Sequence, residues 1–328
     1  MRKRFIKKRH AIMAAMLALM VVVCYSGYRI IGALNPISVR REGTAIVSKT
    51  IVRDGVSYYP RQDITVFMLI GIDQKGPKTD SGSYNNSGQA DLISLIVFDR
   101  EERVYRILLL NRDTMVDVPL LGIGGKPAGT IKAQLALAHN QGSGLHDSCE
   151  NMKKALNSFL GNVPIDYYFS MNLDAISKLN DAVGGVKVNV KDDFSLIDAS
   201  IKKGEMLLNG EQALSFVQTR KNVADQLNIS RMERHKEYMN GFFNAFKSKL
   251  NGSKSFVYDT YESVEDYIVS DCPASSLAAL LDRYSQYNLK EVVSPEGTNT
   301  KGERYMEFYT DEDKLEELVI RLFYSAKK

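Results

Sequence analysis

Four arginines and two acids of this 328-residue chain stand where a phosphate or a metal ion could be held. Asp73 closes the apolar run Val66 to Ile72, and Asp91 immediately precedes the run Leu92 to Phe98. Both acids thus fall at strand ends, where ligands of open α/β sheets gather, and two carboxylates converging there can hold a hard cation such as Mg2+. Asp is equally suited to capping a turn, so spacing alone leaves both roles open. Arg112 and Asp113 follow the run Ile107 to Leu110, and Arg220 and Lys221 follow a helical stretch, Glu211 to Val217. Arg231 and Arg234 are three apart and share one face of a first helical turn. The helix dipole disfavours cations there, but a bound anion removes the penalty, because backbone N–H groups and guanidiniums then address the same phosphate. Solvated ion pairs with Asp113, Asp225 and Glu233 are the alternative for each arginine alone. A pyrophosphate with Mg2+ would satisfy the whole set together.

The line Arg231, Arg234, Tyr238, Phe242 and Phe246 runs from charge to aromatic at helical spacing. It is either the core face of an amphipathic helix or a wall for an apolar tail beyond a phosphate head. His139, His146 and His235 show no zinc-ligand spacing, and the chain has no G-x-S-x-G, Walker A or G-x-G-x-x-G motif. These gaps argue against hydrolase and nucleotide-dependent chemistry.

The elements that must carry these residues are legible in outline. Thr65 to Ile72, Leu92 to Phe98 and Val104 to Leu110 are short apolar runs, as expected of strands covered on both faces. Cys149 to Leu160 has helical periodicity, with Asp147 and Glu150 as a cap and Gly161 as a stop. Tyr167 to Met171 reads as a strand, Leu173 to Val183 as a helix and Val186 to Val190 as a strand. Ser230 and Glu233 form an S-x-x-E capping box opening a helix through Phe246. Strands near Glu291 to Val293 and Tyr305 to Tyr309 precede a closing helix, Asp311 to Phe323. The alternation predicts a three-layer α/β/α domain around a central mixed sheet, spanning 62–328 without a second domain.

Ahead of it, Arg2, Lys3, Arg4, Lys7, Lys8 and Arg9 make a basic tail, 1–10, and an apolar run from Ala11 to Tyr28 follows, with Arg29 placed to snorkel near the far interface of a span reaching Leu34. A bilayer core roughly 30 Å thick needs about 20 helical residues, so 11–34 fits a transmembrane helix. The positive-inside rule puts the tail in the cytoplasm and the domain outside, at the cell membrane. A cleaved signal peptide is the rival, but Tyr25, Tyr28, Arg29 and Ile30 stand where small residues would be wanted. Polar residues 35–61 read as a stalk. All 39 acids follow Leu34 while seven of the 43 Lys and Arg precede it, leaving 36 bases against 39 acids outside, a net of −3. That is no footprint for nucleic acid. Exported Cys149 and Cys272 are either a disulfide pair or two buried thiols.

The motif order resembles the LytR-CpsA-Psr cell-wall glycopolymer transferases. The resemblance rests on Phe67-Met-Leu-Ile-Gly-Ile-Asp73, Ala90-Asp-Leu-Ile93, Leu110-Asn-Arg-Asp-Thr114, Ile165-Asp-Tyr-Tyr168, Asp181-Ala-Val-Gly-Gly-Val186, Leu208-Asn-Gly-Glu-Gln-Ala-Leu214 and Ser230-Arg-Met-Glu-Arg234. It covers roughly Gln62 to Leu250. It implies an α/β/α domain with an apolar tunnel for a polyprenyl tail, and transfer of a polyprenyl-pyrophosphate-linked glycopolymer, such as a teichoic acid or capsule, to peptidoglycan. By the same resemblance Asp73 and Asp91 ligate Mg2+, Arg112 and Arg220 clamp the pyrophosphate, and Arg231 and Arg234 support them. Asp91 or Asp225 activates the acceptor hydroxyl.

Three positions depart from the family pattern. Gln89 and Gln218 stand where arginines are usual, two residues before Asp91 and Arg220, and His235 where glutamine is common. An amide still donates to a phosphate oxygen, with roughly half the strength of a charged donor. A non-catalytic binder of lipid-linked polymer, or a polyprenyl-pyrophosphatase using water, needs much the same site.

Overall fold

The computed structural model describes residues 50–86, 88–219, 221–223, 228–250, 256–272, 280, 283–284 and 287–326. The basic tail 1–10 and the expected anchor 11–34 lie outside the described residues. Among the described residues no helix is long and apolar enough to cross a membrane.

The chain runs β1 (Ile51–Arg53), β2 (Val56–Pro60), β3 (Ile64–Ile72), β4 (Ala90–Asp99), β5 (Val104–Leu110), β6 (Met115–Leu121), β7 (Pro127–Gln134), α1 (His146–Phe159), β8 (Tyr167–Asn172), α2 (Leu173–Ala182), β9 (Val186–Val190) and β10 (Gly204–Leu208). It continues through α3 (Gly210–Gln218), α4 (Asn228–Leu250), α5 (Phe256–Val264), β11 (Ile268–Ser270), β12 (Asn288–Val293), β13 (Gly297–Lys301), β14 (Met306–Thr310), α6 (Glu312–Phe323) and β15 (Tyr324–Ala326). Six strands make a mixed central sheet in the order β11-β8-β3-β4-β5-β12. The pairs β3/β8 and β5/β12 are parallel, and β3/β4, β4/β5 and β8/β11 antiparallel.

Alternation along the central strands divides two cores. Phe67, Leu69, Ile96, Phe98, Phe169 and Met171 face α2, α3 and α4, whereas Val66, Met68, Ile70, Leu95, Val97 and Leu108 face α1 and α6. The near-continuous apolar runs follow from this two-sided covering. Cys272 belongs to the first core and Cys149 to the second, so the sheet separates them; both are buried thiols, and the disulfide alternative is excluded. Burial pushes the Cys149 thiol up to about 12.

Three expectations about boundaries change. The stalk, expected to reach residue 61, folds onto the domain from residue 51: β1 and β2 form a hairpin, and β2 also pairs with β15 at the far end of the chain. Ser230 and Glu233 are not a cap, because Ser230 already lies inside α4, and Glu233 pairs instead with Lys236 at 2.6 Å. Asp147 does not cap α1 either. It lies inside the first turn and turns back to accept from the Ser143 N–H and hydroxyl at 2.7 and 2.6 Å. A true capping box sits at α3, where Asn209 accepts from the Gln212 N–H at 2.9 Å and Gln212 returns the bond at 3.1 Å.

Helix α4 carries two of the arginines, and its seating on β9 depends on Gly241. A Cβ there would lie 2.1 Å from the Lys187 carbonyl oxygen, so only glycine permits this approach.

Candidate functional site

Asp91 reaches the site through a break in strand alternation. Gly71 faces Leu92 while Ile72 faces Ala90, which makes Asp91 the extra residue of a β-bulge. Ala90 and Ile93 both point into the α1 core, leaving Asp91 and Leu92, consecutive residues, on the opposite face. A regular strand would have sent Asp91 into the apolar core beside Ile93.

Two guanidiniums meet its carboxylate. Arg112 Nη1 pairs with Oδ1, and Arg231 Nη1 lies 2.6 Å from Oδ2. Their side chains are 8% and 2% exposed, so the cluster is screened little by solvent. Each arginine is held further. Gln89 accepts from Arg112 Nη2, and Asn228 accepts from Arg231 Nε at 3.1 Å and Nη2 at 2.6 Å. Asn228 in turn donates to Asn111 Oδ1 at 2.7 Å, which also accepts the Asp113 N–H at 3.0 Å. The start of α4 is thereby tied to the turn after β5 that carries Arg112. Asn228 and Asn111 hold this cluster together, a role that the sequence alone did not single out. The available signal was Asn228 three before Arg231, one helical turn away.

Arg234 goes elsewhere. It donates to the Phe216 carbonyl at 2.9 Å and to the Thr219 carbonyl, and pairs with Asp192 at 2.8 Å. His235 Nε2 donates to the Val217 carbonyl at 2.9 Å. Consecutive residues of α4 thus satisfy the last carbonyls of α3, which have no intrahelical partner. Burial, with Arg231 and Arg234 nearby, pulls His235 down to about 3, so it is a neutral donor. Arg231 and Arg234 therefore do not converge on one point. Arg234 fixes the α3 end that leads toward position 220. Arg220 and Asp225 themselves lie outside the described residues.

The loop from Asp73 to Gln89 is pinned at several points. Asn86 donates to the carbonyls of His139 at 2.9 Å and Gly142 at 2.8 Å, and His139 Nδ1 donates to the Gly88 carbonyl at 2.9 Å. Burial, aided by Lys78, draws His139 down to about 3. Lys78, itself lowered to about 8 by burial, donates to Ser170 Oγ at 2.9 Å.

Below Asp91 an apolar cavity opens between the sheet and α2, α3 and α4. Phe67, Leu69, Phe169, Met171, Tyr238 and Phe242 form its walls, while Asp91, Gln218 and His235 mark its polar end. Of the arginine-to-aromatic line on α4, Tyr238 and Phe242 line the cavity and Phe246 is core. An apolar chamber ending in a carboxylate that two guanidiniums pair with suits an amphiphile with a polar head.

Gln218 donates to Asp73 Oδ1 at 3.1 Å, and the Asp73 N–H donates to the Gln89 carbonyl at 2.8 Å. Asp73 is exposed. Among the described residues no group of three His, Cys, Asp or Glu side chains is placed to hold a metal ion by itself. Asp73 and Asp91 are the carboxylates at these two strand ends, and with both Asp91 oxygens paired to guanidiniums a Mg2+ held there would take Asp73 and fill the rest of its shell with waters and substrate phosphate oxygens.

Comparison with known proteins agrees with this architecture. The LytR_cpsA_psr family model matches residues 38–322. The polyisoprenyl-teichoic acid–peptidoglycan teichoic acid transferase TagV of Bacillus subtilis strain 168 is 26% identical over 296 residues, covering 88% of this chain and 70% of TagV. TagT of the same organism, another such transferase, is 26% identical over 75% of this chain and 73% of its own length. Among solved structures, TagT bound to LI-WTA has a TM-score of 0.59 at 23% identity, covering 80% of this chain and 90% of that one. The gbs0355 protein of Streptococcus agalactiae has a TM-score of 0.64 at 19% identity, covering 79% of this chain and 86% of that one. The fold is therefore shared, and the chain belongs to the LytR-CpsA-Psr family.

Proposed function

We propose that this protein transfers an anionic glycopolymer from a polyprenyl-pyrophosphate carrier to peptidoglycan, outside the cell and anchored by helix 11–34. The observation that carries the reading is the placement of Asp91, with Arg112 and Arg231 paired to it, at the polar end of an apolar cavity. The polyprenyl tail occupies the cavity and the pyrophosphate lies against the guanidiniums. TagV and TagT are named for teichoic acid transfer to peptidoglycan, which supports the same class of substrates here.

An acceptor hydroxyl oxygen bonds to the sugar-side phosphorus, the bridging P–O bond breaks, and polyprenyl phosphate departs with the electron pair. Asp91, and Asp225 by the family resemblance, are the candidates to take the hydroxyl proton. Arg112 and Arg220 hold the charge that spreads over the phosphoryl oxygens, and Arg231 keeps Asp91 in place; such positioned charge carries most of the catalysis in phosphoryl transfer. Asp73 would hold Mg2+, which when bound neutralises pyrophosphate charge. The pyrophosphate link stores the energy, so no nucleotide is needed.

Product analysis tests the reading. Full-length protein given a lipid-linked polymer, Mg2+ and peptidoglycan should yield polymer covalently joined to peptidoglycan plus polyprenyl phosphate. Released polymer phosphate with none attached identifies a pyrophosphatase. Tight donor binding without cleavage identifies a binder, a reading that Gln89 and Gln218 favour by leaving the site with less positive charge.

A further inference from the structure

The cross-strand pairs of β3 and β4 show where the apolar chamber ends. Gly71 faces Leu92 beside the polar end, and Phe67 faces Ile96 four residues deeper; both pairs line the chamber. The next pair on that face, Thr65 and Phe98, is covered by a single side chain. Tyr284 stacks on the Phe98 ring at 4.3 Å and donates from its hydroxyl to Thr65 Oγ1 at 2.7 Å. Phe98 and Tyr284 are fully buried, and Phe67 stands edge-on to Phe98 with ring centres 5.7 Å apart.

The neighbouring walls close in the same way. On β8, Phe169 lines the chamber, whereas Tyr167, paired with Phe67, stacks on it at 5.0 Å. On α4, Phe242 lines the chamber, and one turn further Phe246 is buried with its ring 6.2 Å from Phe242 and 4.9 Å from Phe256. Among the described residues the chamber therefore ends at Phe67, whose ring is packed between Tyr167 and Phe98. Close packing on both sides holds that ring in place.

The depth follows from the elements themselves. Four strand residues at about 3.3 Å each set Phe67 about 13 Å below Gly71. Along α4, His235 to Phe242 gives about 10 Å at about 1.5 Å per residue. An extended hydrocarbon with bonds of about 1.5 Å advances about 1.25 Å per carbon, so the chamber takes about ten chain carbons. That length lies between a geranyl and a farnesyl tail. We propose that Phe67, backed by the Phe98–Tyr284 stack, is the specificity residue that limits how much of the donor's apolar tail the protein reads. Carbons beyond that limit make no contact with these walls. The inference rests on the donor reading above and adds a length limit to it.

The test is a tail-length series. Geranyl, farnesyl and geranylgeranyl pyrophosphate are titrated into full-length protein in one detergent, and the ratio of affinities is compared between variants, so that partition into detergent cancels. Wild type should bind farnesyl about tenfold or more tightly than geranyl, because further apolar carbons are buried, and geranylgeranyl within about twofold of farnesyl. Phe67→Ala should let geranylgeranyl exceed farnesyl by about fivefold or more. Leu69→Phe, which puts a ring two residues nearer the head, should cut the advantage of farnesyl over geranyl to within about twofold; it keeps the proposal testable if Phe67→Ala does not fold. Affinity that climbs equally from farnesyl to geranylgeranyl in wild type, a length profile that neither folded variant moves, or no binding of any of the three overturns the proposal. Failure of the transferase reading would look different: wild-type protein would join no lipid-linked polymer to peptidoglycan, whatever the length series shows.

Discussion

Arg231 Nη1 lies 2.6 Å from Asp91 Oδ2, joining the first turn of α4 to a bulge at the start of β4 across 140 positions of sequence. Neither residue would hold its place alone. The bulge turns Asp91 out of the apolar core, and Asn228 takes two further guanidinium donors of Arg231. The site is thus fixed by a buried charge network whose members hold one another.

Truncating one member should therefore cost stability as well as activity. Arg231→Met leaves the Asp91 carboxylate largely buried with less compensating charge, and should destabilise the protein by about 3–5 kcal/mol in urea unfolding. Adding Asp91→Asn should recover part of that loss. Additive effects of the two substitutions would show that the pair is not coupled.

Gln89 accepts a hydrogen bond from Arg112, a role that arginine cannot fill. Gln89→Arg should lower the stability of the ligand-free protein, because two guanidiniums would then meet. It should also tighten binding of a polyprenyl-pyrophosphate analogue by about tenfold and steepen its salt dependence, since a charged donor is worth roughly 1–1.5 kcal/mol more than a neutral one. Isothermal titration at two salt concentrations measures both effects.

Acid should unfold the protein through His139 and His235. Both have folded values of about 3 against a usual 6.5, so the unfolded chain binds their protons more readily. Their contribution to stability is present above about pH 6.5 and declines as pH falls toward 3, by up to about 1.4 kcal/mol per pH unit for each histidine. His235→Gln can still donate to the Val217 carbonyl and should flatten part of the decline. Urea midpoints between pH 7.5 and 4.5 would register it.

Gly241→Ala introduces a methyl 2.1 Å from the Lys187 carbonyl oxygen. Helix α4 must then shift off β9, carrying Arg231 with it. We expect a loss of about 1–3 kcal/mol in stability, with a fall in transfer activity at temperatures where the variant remains folded.

The sequence outlined the central strands because Val66 to Ile72, Leu92 to Phe98 and Val104 to Leu110 are buried on both faces and read as continuous apolar runs. It also placed Asp73, Asp91 and Arg112 at strand ends, where they are. Direction was harder to read. Arg231 and Arg234 share helical spacing, yet one meets Asp91 and the other caps α3, and the difference depends on where α3 ends in space. The bulge at Asp91 has no local signature, since it exists only as a register shift against β3. Hairpin β6/β7 and the fold of 51–60 were missed for a related reason. Their residues are largely exposed or half-buried, so hydrophobic periodicity was too faint to mark them.

The most direct test of the account is the rate at which full-length protein joins a lipid-linked polymer to peptidoglycan in the presence of Mg2+, compared with Arg112→Ala and Arg220→Ala. Loss of one charged clamp should slow transfer on the order of 10²- to 10³-fold, with donor still bound in the apolar cavity. Near-normal transfer by both variants would contradict it.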